Sequence, residues 1–248
     1  AKIRPIMITG DSLDTALAIA REVGIIEKNE KGVLGSELDK MTPKELKKCV
    51  NECNVFARVS PDHKYLIVDA LERQGKVVAM TGDGVNDAPA LELANVGIGM
   101  GASGTDVTKS VSDILLLDDS FSTIVTAVDE GRRIYDNVIA NVLYNLSSNF
   151  TEIVLIILGM FLNNQIILAL HVLYIDLVAD TIPSICLAFE KSSKNNMKKK
   201  PNGLNKPIFT PYFLAFLILS VLVETAVSLL VYFASIHIWG VNMAQTLA

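Results

Sequence analysis

The run TGDGVNDAPAL, residues 81–91, follows an apolar strand-like segment and leads into a helix. Asp83 and Asp87 place two carboxylates at the carboxyl end of that strand, with a glycine beside the first. Hard cations take oxygen ligands, and open α/β sheets bind their ligands at the carboxyl ends of strands. The run therefore predicts a Mg²⁺ site formed by Asp83 and Asp87. An Asp-rich turn that caps a helix is the alternative interpretation.

Outward from this run, residues 1–137 have the composition of a soluble region. Strand-like and helix-like segments alternate there, a pattern that predicts an α/β fold with a mostly parallel sheet and helices on its faces. The predicted strands cover residues 3–8, 55–58, 77–80, 96–98 and 114–117. The predicted helices cover residues 15–23, 43–52 and 63–73, and the second of these has a proline at its first position after Thr42 as the cap.

The rest of the chain, residues 138–248, is apolar enough to form an α-helical transmembrane region. Residues 138–162, 166–189 and 213–236 are each long enough to cross a hydrocarbon core of about 30 Å. Residues 121–162 contain no proline and predict one helix of roughly 60 Å, about twice that thickness. Its polar first part, 121–137, predicts a stalk that joins the soluble domain 1–120 to the bilayer and transmits motion.

The distribution of lysines predicts the orientation in the membrane. The loop 190–211 carries six lysines, whereas the turn 163–165 carries no charge. Because basic loops stay on the cytoplasmic side, this loop and residues 1–137 are expected in the cytoplasm. An odd number of crossings then places Ala248 on the other side. We expect a multi-pass integral membrane protein, in the cell membrane.

Composition excludes several other classes of protein. The net charge of −5 argues against a nucleic-acid surface. Cys49 and Cys53 have a spacing unlike zinc signatures, and with Cys186 they are expected to be free thiols. The chain opens with a strand-like segment and no signal peptide or initiator Met, so it is expected to be part of a longer protein.

Two further polar groups stand at strand ends, as Asp83 does. The run Thr9-Gly10-Asp11 ends the first strand, where its hydroxyl and backbone amides can hold a phosphoryl oxygen. Lys64 follows another strand at a helix start, where its ammonium can neutralise phosphoryl charge. The alternative for Lys64 is an ordinary surface lysine.

A glycine-rich run, GMGASG at residues 99–104, matches a dinucleotide-binding pattern. Asp118 and Asp119 lie about 20 residues further on, as such a site requires. Only the short polar stretch 105–112 separates the run from the next strand, which is too short for the usual crossover helix. No dinucleotide cofactor is expected.

Acidic residues within the apolar spans predict a cation path. A charged side chain at the bilayer centre costs about 2.5–3.5 kcal/mol on insertion scales, so a cluster marks an ion pathway. Asp176 and Asp180 share a helix face, and Pro183 just beyond them can free backbone carbonyls for a cation. Asn149 and Glu152 on the preceding span supply further oxygen ligands.

Alternatives remain open for these polar side chains in the membrane. The cluster could instead connect helices by hydrogen bonds. Glu224 is interpreted as a contact to helices outside this chain, and His171 as a residue near the outer end of its span.

Three motifs in order resemble a known family. TGD, FARVSPDHK and TGDGVNDAPALELANVGIGMG resemble the phosphorylation domain of P-type ATPases, a branch of the haloacid dehalogenase-like, Rossmann-like fold. The resemblance implies an enzyme that uses ATP as substrate and Mg²⁺ as cofactor. It implies phosphoryl binding by Thr9 in the run with Gly10 and Asp11, stabilisation by Lys64, Mg²⁺ binding by Asp83, and ordering of the site by Asn86 and Asp87.

The membrane motifs resemble the calcium and sodium/potassium pump branch. SSNFTE, which contains Asn149 and Glu152, and the pair Asp176 and Asp180 resemble its ion-binding helices, which implies a transported cation, Ca²⁺ first and Na⁺ or K⁺ as alternatives. Calcium pumps usually have Asn where Asp176 stands and Thr where Ala179 stands, while Asp at the former position is similar to sodium/potassium pumps.

The family's DKTGT motif, with the phosphorylated aspartate, does not occur in this sequence. The chain alone is therefore not expected to hydrolyse ATP, and an N-terminal part of the same protein is expected as its partner. Two other functions stay open, namely a membrane-tethered phosphatase, with Asp11 as the nearest nucleophile candidate, and a non-catalytic fragment.

Overall fold

A computed structural model describes residues 1–191, 196–201, 207–241 and 245–246, without the side chains of His237 and Trp239. The chain divides into two compact units. The first comprises Ala1–Val128 with Met197–Lys206, and the second comprises Asp129–Asn196 with Pro207–Ala248.

The first unit contains two three-stranded sheets with the orders β1-β3-β2 and β4-β5-β6, and all their strand pairs are parallel. The prediction of a parallel α/β arrangement is confirmed, although the strands form two sheets where one was expected. The strands are β1 (Met7–Ile8), β2 (Val33–Leu34), β3 (Val55–Ala57), β4 (Ala79–Gly82), β5 (Val96–Met100) and β6 (Ile114–Leu116).

Two strand predictions differ from the structure for visible reasons. The segment predicted from residue 3 pairs only over Met7–Ile8, because Pro5 lacks an N–H and the Arg4 side chain instead binds the backbone oxygen of Val50 at 2.9 Å. The two-residue strand β2 has no alternating pattern long enough to reveal it in the sequence.

Six helices surround these sheets: α1 (Leu13–Glu22), α2 (Gly35–Leu38), α3 (Pro43–Glu52), α4 (Pro61–Glu72), α5 (Ala88–Leu93) and α6 (Asp106–Val111). The bounds of α3 match the prediction, and Thr42 caps it by accepting the amide of Glu45. The interpretation of residues 105–112 as too short for a crossover helix is wrong. The six-residue helix α6 lies there, and Thr105 caps its first turn.

The central strands carry the core of the first unit. Val55, Phe56 and Ala57 of β3 are all fully buried, as expected for a parallel strand covered on both faces. On β5 a side chain at Gly99 would approach the Ser112 hydroxyl to 2.5 Å, so glycine allows the chain after α6 to pack directly on this strand. The carboxyl ends of these strands thereby stay in fixed positions.

The second unit is helical. The helix α7 (Phe121–Phe161) begins in the first unit and continues here, and it is followed by α8 (Ala169–Tyr174), a π-helical segment (Ile175–Ala179), α9 (Thr181–Ala188) and α10 (Pro211–Trp239). Among the described residues, three segments are long and apolar enough to cross a membrane: Phe121–Phe161, Ala169–Ala188 and Pro211–Ile236. The role of α7 in transmitting motion stays a prediction.

The second span is irregular next to its proline. Asp180 donates its amide to the oxygen of Ile175, five residues back, at 2.9 Å. Pro183 has no N–H to donate to the oxygen of Ala179, which removes one α-helical bond from this turn. The loosening predicted at Pro183 therefore occurs over Ile175–Ala179, on its N-terminal side. Of the predicted basic loop, Lys194 and Lys206 lie outside the described residues.

Candidate phosphoryl and cation sites

The turn after β1 is held by its own side chains. The Thr9 amide donates to Phe56 at 2.9 Å, and the Val59 amide donates to Thr9 at 3.2 Å, so Thr9 lies beside the segment that leads into α4. The Thr9 hydroxyl donates to Asp11 at 3.0 Å and accepts the Asp11 amide at 3.1 Å. Gly10 and Asp11 are exposed, and the turn is open to a ligand from solvent.

The start of α4 positions Lys64. Ser60 caps the helix by accepting the amide of His63, and its own amide donates to Nδ1 of the His63 ring at 3.0 Å. Because Nδ1 accepts, Nε2 carries the proton, and it lies 2.8 Å from a carboxylate oxygen of Asp39. The His63 ring thus fixes the first helical turn, which carries Lys64. No sequence pattern pointed to His63, because its role depends on a partner 24 residues away.

Lys64 forms an ion pair with Asp87, a residue from the TGDGVNDAPAL run. The two side chains are 19% and 8% exposed, so the pair is shielded from solvent. A side chain at Gly82 would approach Cβ of Asp87 to 2.5 Å, which explains the glycine at the end of β4. The structure therefore brings together Lys64 and Asp87, and Thr9 lies at the entry to the same helix.

Asp83 and Asn86 stand at the surface of this run. Both are exposed, and the backbone oxygen of Asp83 accepts the Thr105 amide at 3.1 Å. Mg²⁺ keeps several waters and binds through one or two carboxylates together with substrate phosphates. Asp83 and the second oxygen of Asp87 fit such a partial donor set. Within the described ranges no group of three or more His, Cys, Asp or Glu residues is arranged for a metal. A Mg²⁺ site with one or two carboxylates does not require such a group.

The glycine-rich run at 99–104 has its amides occupied. Asp119 accepts the amides of Ala102 at 3.0 Å and Ser103 at 2.7 Å, and Gly101 donates to Leu116 at 2.8 Å. These bonds, led by the one from Ala102, lower the pKa of Asp119 below its usual range. The acidic residue that completed the dinucleotide pattern therefore binds backbone amides that a phosphate would need, and the absence of a dinucleotide cofactor stays a prediction.

Predicted cation ligands line two cavities of the second unit. Glu152 lines a cavity of about 900 Å³, whereas Asp176 and Asp180 line a second cavity of about 330 Å³. Asn149 is exposed. The assignment of these four residues to one cation site stays a prediction. The smaller cavity is the one that two of them, Asp176 and Asp180, line together.

Asp180 is buried, and no cationic side chain pairs with it among the described residues. It is 8% exposed, and the Tyr144 hydroxyl donates to its Oδ1 at 3.0 Å. The spans 138–162, 166–189 and 213–236 contain no lysine or arginine. A neutral hydroxyl orients the carboxylate but leaves its negative charge uncompensated. The cavity beside Asp180 is thus suited to a cation.

Two membrane residues have contacts that the sequence analysis did not predict. Glu224 has a partner inside this chain, since its carboxyl lies 2.8 Å from the Thr151 hydroxyl, which also lies 2.8 Å from the Ser147 oxygen. His171 lines the larger cavity with Glu152, and its Nδ1 atom is buried and has no hydrogen-bond partner in the part of the chain that the structure describes. Helix packing, which spacing alone does not reveal, decided both.

A row of asparagines on α7 was not recognised from the sequence. Asn137 donates to the backbone oxygens of Ala188 at 3.1 Å and Glu190 at 3.0 Å, and Asn141 donates to that of Ser184 at 3.2 Å. Asn145 continues the row one turn further on. Their spacing of four residues within a mostly apolar helix was the signal, because such residues share one face.

Comparisons with known proteins agree with both units. The family profile described as haloacid dehalogenase-like hydrolase matches residues 1–95, and that described as cation transporting ATPase, C-terminus, matches residues 164–248. Calcium-transporting ATPase 1 of Bacillus cereus is 46% identical over 85% of the chain. The human calcium-transporting ATPase type 2C member 1 is 41% identical over 89% of it, and the P-type sodium-transporting ATPase4 of Toxoplasma gondii is 43% identical over 85%. The chain spans 24%, 24% and 17% of these relatives, respectively.

Proposed function

Because the chain belongs to the cation-transporting P-type ATPases by sequence, we propose that it forms part of an ATP-driven pump whose cargo is Ca²⁺. The observation that carries the proposal is that one chain contains both a candidate phosphoryl site and a candidate cation site. One is a shielded Lys64–Asp87 pair beside a phosphoryl-binding turn, and the other is a buried membrane carboxylate, Asp180, in spans without lysine or arginine.

In the first unit, which we call the soluble unit, the chain's residues bind a phosphoryl group and neutralise its charge. The exposed turn at Thr9 offers a hydroxyl and backbone amides, and Lys64 supplies a positive charge held in place by Asp87 and by the first turn of α4. Such preorganised charges stabilise the transition state of phosphoryl transfer. Mg²⁺ held by Asp83 and Asp87 would neutralise further charge on the phosphoryl oxygens. The aspartate that accepts the phosphate would come from the N-terminal part of the protein.

In the second unit, which we call the membrane unit, the carboxylates of Asp176 and Asp180 bind the transported cation. Asp176 and Asp180 line one cavity in an irregular span, where an interrupted helix can offer carbonyl oxygens as well. We place the protein in the cell membrane, with residues 1–137 in the cytoplasm, on the support of the basic loop 190–211. A sodium pump is the second candidate, since one relative is named a sodium-transporting ATPase.

The test is formation of a phosphoenzyme from ATP and Mg²⁺ by the full-length protein, with Ca²⁺, Na⁺, K⁺ or Mn²⁺ added in turn. We expect Ca²⁺ to stimulate it and Asp180→Asn to raise the half-saturating Ca²⁺ concentration at least tenfold, about 1.4 kcal/mol. Asp176→Asn should act in the same direction. If neither substitution changed the cation dependence, the membrane site would be wrong. Stimulation by Na⁺ alone would favour the sodium pump.

Two other outcomes would select the remaining alternatives. Phosphatase activity that is lost in Asp11→Asn and is independent of cations would indicate a membrane-tethered phosphatase. A protein that forms no phosphoenzyme with any of the cations would be a non-catalytic membrane protein.

A further inference from the structure

The cavity of about 330 Å³ has polar residues on two of its sides. One side belongs to α7 and the other to the irregular second span. Six of its lining residues carry oxygen or amide groups, namely Asn141, Asn145, Asp176, Asp180, Thr181 and Ser184. Asp176 and Asp180 were expected there, whereas the amides of α7 have no role in the function described so far.

The side-chain orientation of Asn145 follows from its contacts. One terminal atom lies 2.9 Å from the backbone oxygen of Asn141, is hydrogen-bonded to Oδ1 of Asn141, and lies 3.4 Å from the Ser184 hydroxyl. A backbone oxygen can only accept, so the atom that faces it must be the amide nitrogen. The two N–H groups of Asn145 are thereby directed at the protein wall.

The carbonyl oxygen of Asn145 is then the part of the side chain left for a ligand. Within the described part of the chain, no hydrogen bond ends on this Oδ1 atom. Asn141 cannot take its place, because its Nδ2 donates to the Ser184 oxygen at 3.2 Å and its Oδ1 accepts from Asn145. The row of amides therefore holds one oxygen, that of Asn145, in a fixed orientation at the cavity.

We propose that Oδ1 of Asn145 is a ligand of the transported cation in this cavity, beside the carboxylates of Asp176 and Asp180. The proposal rests on the pump function proposed above and adds a residue that decides which cation the site prefers. Two carboxylates balance the charge of one divalent cation, and a neutral amide oxygen adds a ligand without adding charge. Ca²⁺ takes six to eight oxygen ligands, so a hard divalent cation fits this donor set.

The experiment measures cation-dependent phosphoenzyme formation by the full-length protein carrying Asn145→Leu. Leucine has a similar volume and no oxygen, so we expect the half-saturating Ca²⁺ concentration to rise about tenfold. Asn145→Asp keeps an oxygen at this position but loses the amide that binds Asn141, so we expect a smaller rise than in Asn145→Leu, with a changed ratio of the half-saturating concentrations of Ca²⁺ and Mn²⁺. A residue that only supports the fold would not change this ratio.

Asn137→Leu is the matched control. Asn137 lies on the same face of α7 and binds one backbone oxygen at the last residue of α9 and one just after it, but it does not line the cavity. We expect its half-saturating Ca²⁺ concentration to stay within about twofold of the wild type, because no ligand is lost. Equal shifts in Asn137→Leu and Asn145→Leu, or wild-type behaviour of Asn145→Leu, would overturn the proposal.

Asp180→Asn separates this proposal from the pump function. A loss of Ca²⁺ dependence in Asp180→Asn with no shift in Asn145→Leu would leave the pump function standing and reject Asn145 as a ligand. Unchanged Ca²⁺ dependence in Asp180→Asn would reject the transport site itself, and with it the proposal for Asn145.

Discussion

The two units bury their carboxylates in opposite ways. In the soluble unit, Asp87 is paired with the ammonium group of Lys64. In the membrane unit, Asp180 accepts a hydrogen bond from the neutral hydroxyl of Tyr144, and Glu224 lies next to that of Thr151. The Lys64 side chain thus neutralises the charge of Asp87 permanently. The other two have neutral partners, in spans that contain no lysine or arginine.

The proposed function accounts for this difference through what each unit would bind. A phosphoryl group is an anion, so its site needs a fixed positive charge, and Asp87 holds that charge in position. A transported cation must be bound and released, so its site needs negative charge that no side chain cancels. Burying an unpaired carboxylate costs free energy, and a bound cation offsets that cost. The neutral hydroxyls orient the carboxylates without competing with the cargo.

The largest expected effect comes from breaking the pair in the soluble unit. Lys64→Ala should lower the rate of phosphoenzyme formation about 10²-fold or more, because a preorganised positive charge is lost. It should also destabilise the fold by about 3–5 kcal/mol, since Asp87 would stay buried without a partner. Rapid-quench phosphorylation and thermal unfolding of the full-length protein measure the two effects.

Lys48→Ala is the control for that prediction. Lys48 and Glu52 are 75% and 62% exposed and 4.0 Å apart, so this ion pair is worth at most about 1 kcal/mol. Wild-type phosphorylation in Lys64→Ala would show that the pair has no part in catalysis. The pairing of Asp87 with Lys64 would then not be explained by phosphoryl binding.

A smaller effect is expected from the neutral contacts of the membrane unit. Asn137→Leu removes two hydrogen bonds to backbone oxygens at 3.0 and 3.1 Å, and about 1 kcal/mol of stability should be lost. The midpoint of thermal unfolding in detergent should fall by about 2–4 °C. Val138→Ala, at a position that is 51% exposed, is the control. Equal midpoints for the two variants would mean that the asparagine row does not stabilise the spans.

The smallest effect concerns Asp119, a half-buried residue whose carboxylate is stabilised by backbone amides. Its folded-state pKa lies below its usual range because it accepts the amides of Ala102 and Ser103. Its contribution to stability is therefore present above the unfolded pKa of about 3.9 and is lost as pH falls through the lower, folded pKa.

Asp119→Asn tests this pH dependence. Asparagine tolerates the φ of 50° found at this position, so the backbone is not strained by the change. We expect the variant to unfold at a slightly lower temperature than wild type at pH 7, and the difference to shrink as the pH falls below about 3.9 and through the lower, folded pKa. A difference that stayed constant between these pH values would contradict the assignment of the effect to the carboxylate.

Local patterns were sufficient for much of the first unit. The alternation of short apolar and polar segments predicted parallel strands, and Thr42 and Pro43 marked the start of α3 within the chain's own sequence. The TGDGVNDAPAL run located Asp83 and Asp87 at a strand end. These features depend only on residues that are neighbours in the sequence, so the sequence alone is enough to predict them. The extent of β1 was missed because it depends on Arg4 reaching Val50.

The sequence by itself determined which residues carry charge and how far the apolar spans reach, because composition and helical period are properties of the chain order. Only the tertiary structure decided how those charges are partnered. Lys64 meets Asp87 across 23 residues, Tyr144 meets Asp180 across 36, and Thr151 meets Glu224 across 73. Whether a buried carboxylate meets an ammonium group or a hydroxyl depends on how elements distant in sequence pack together.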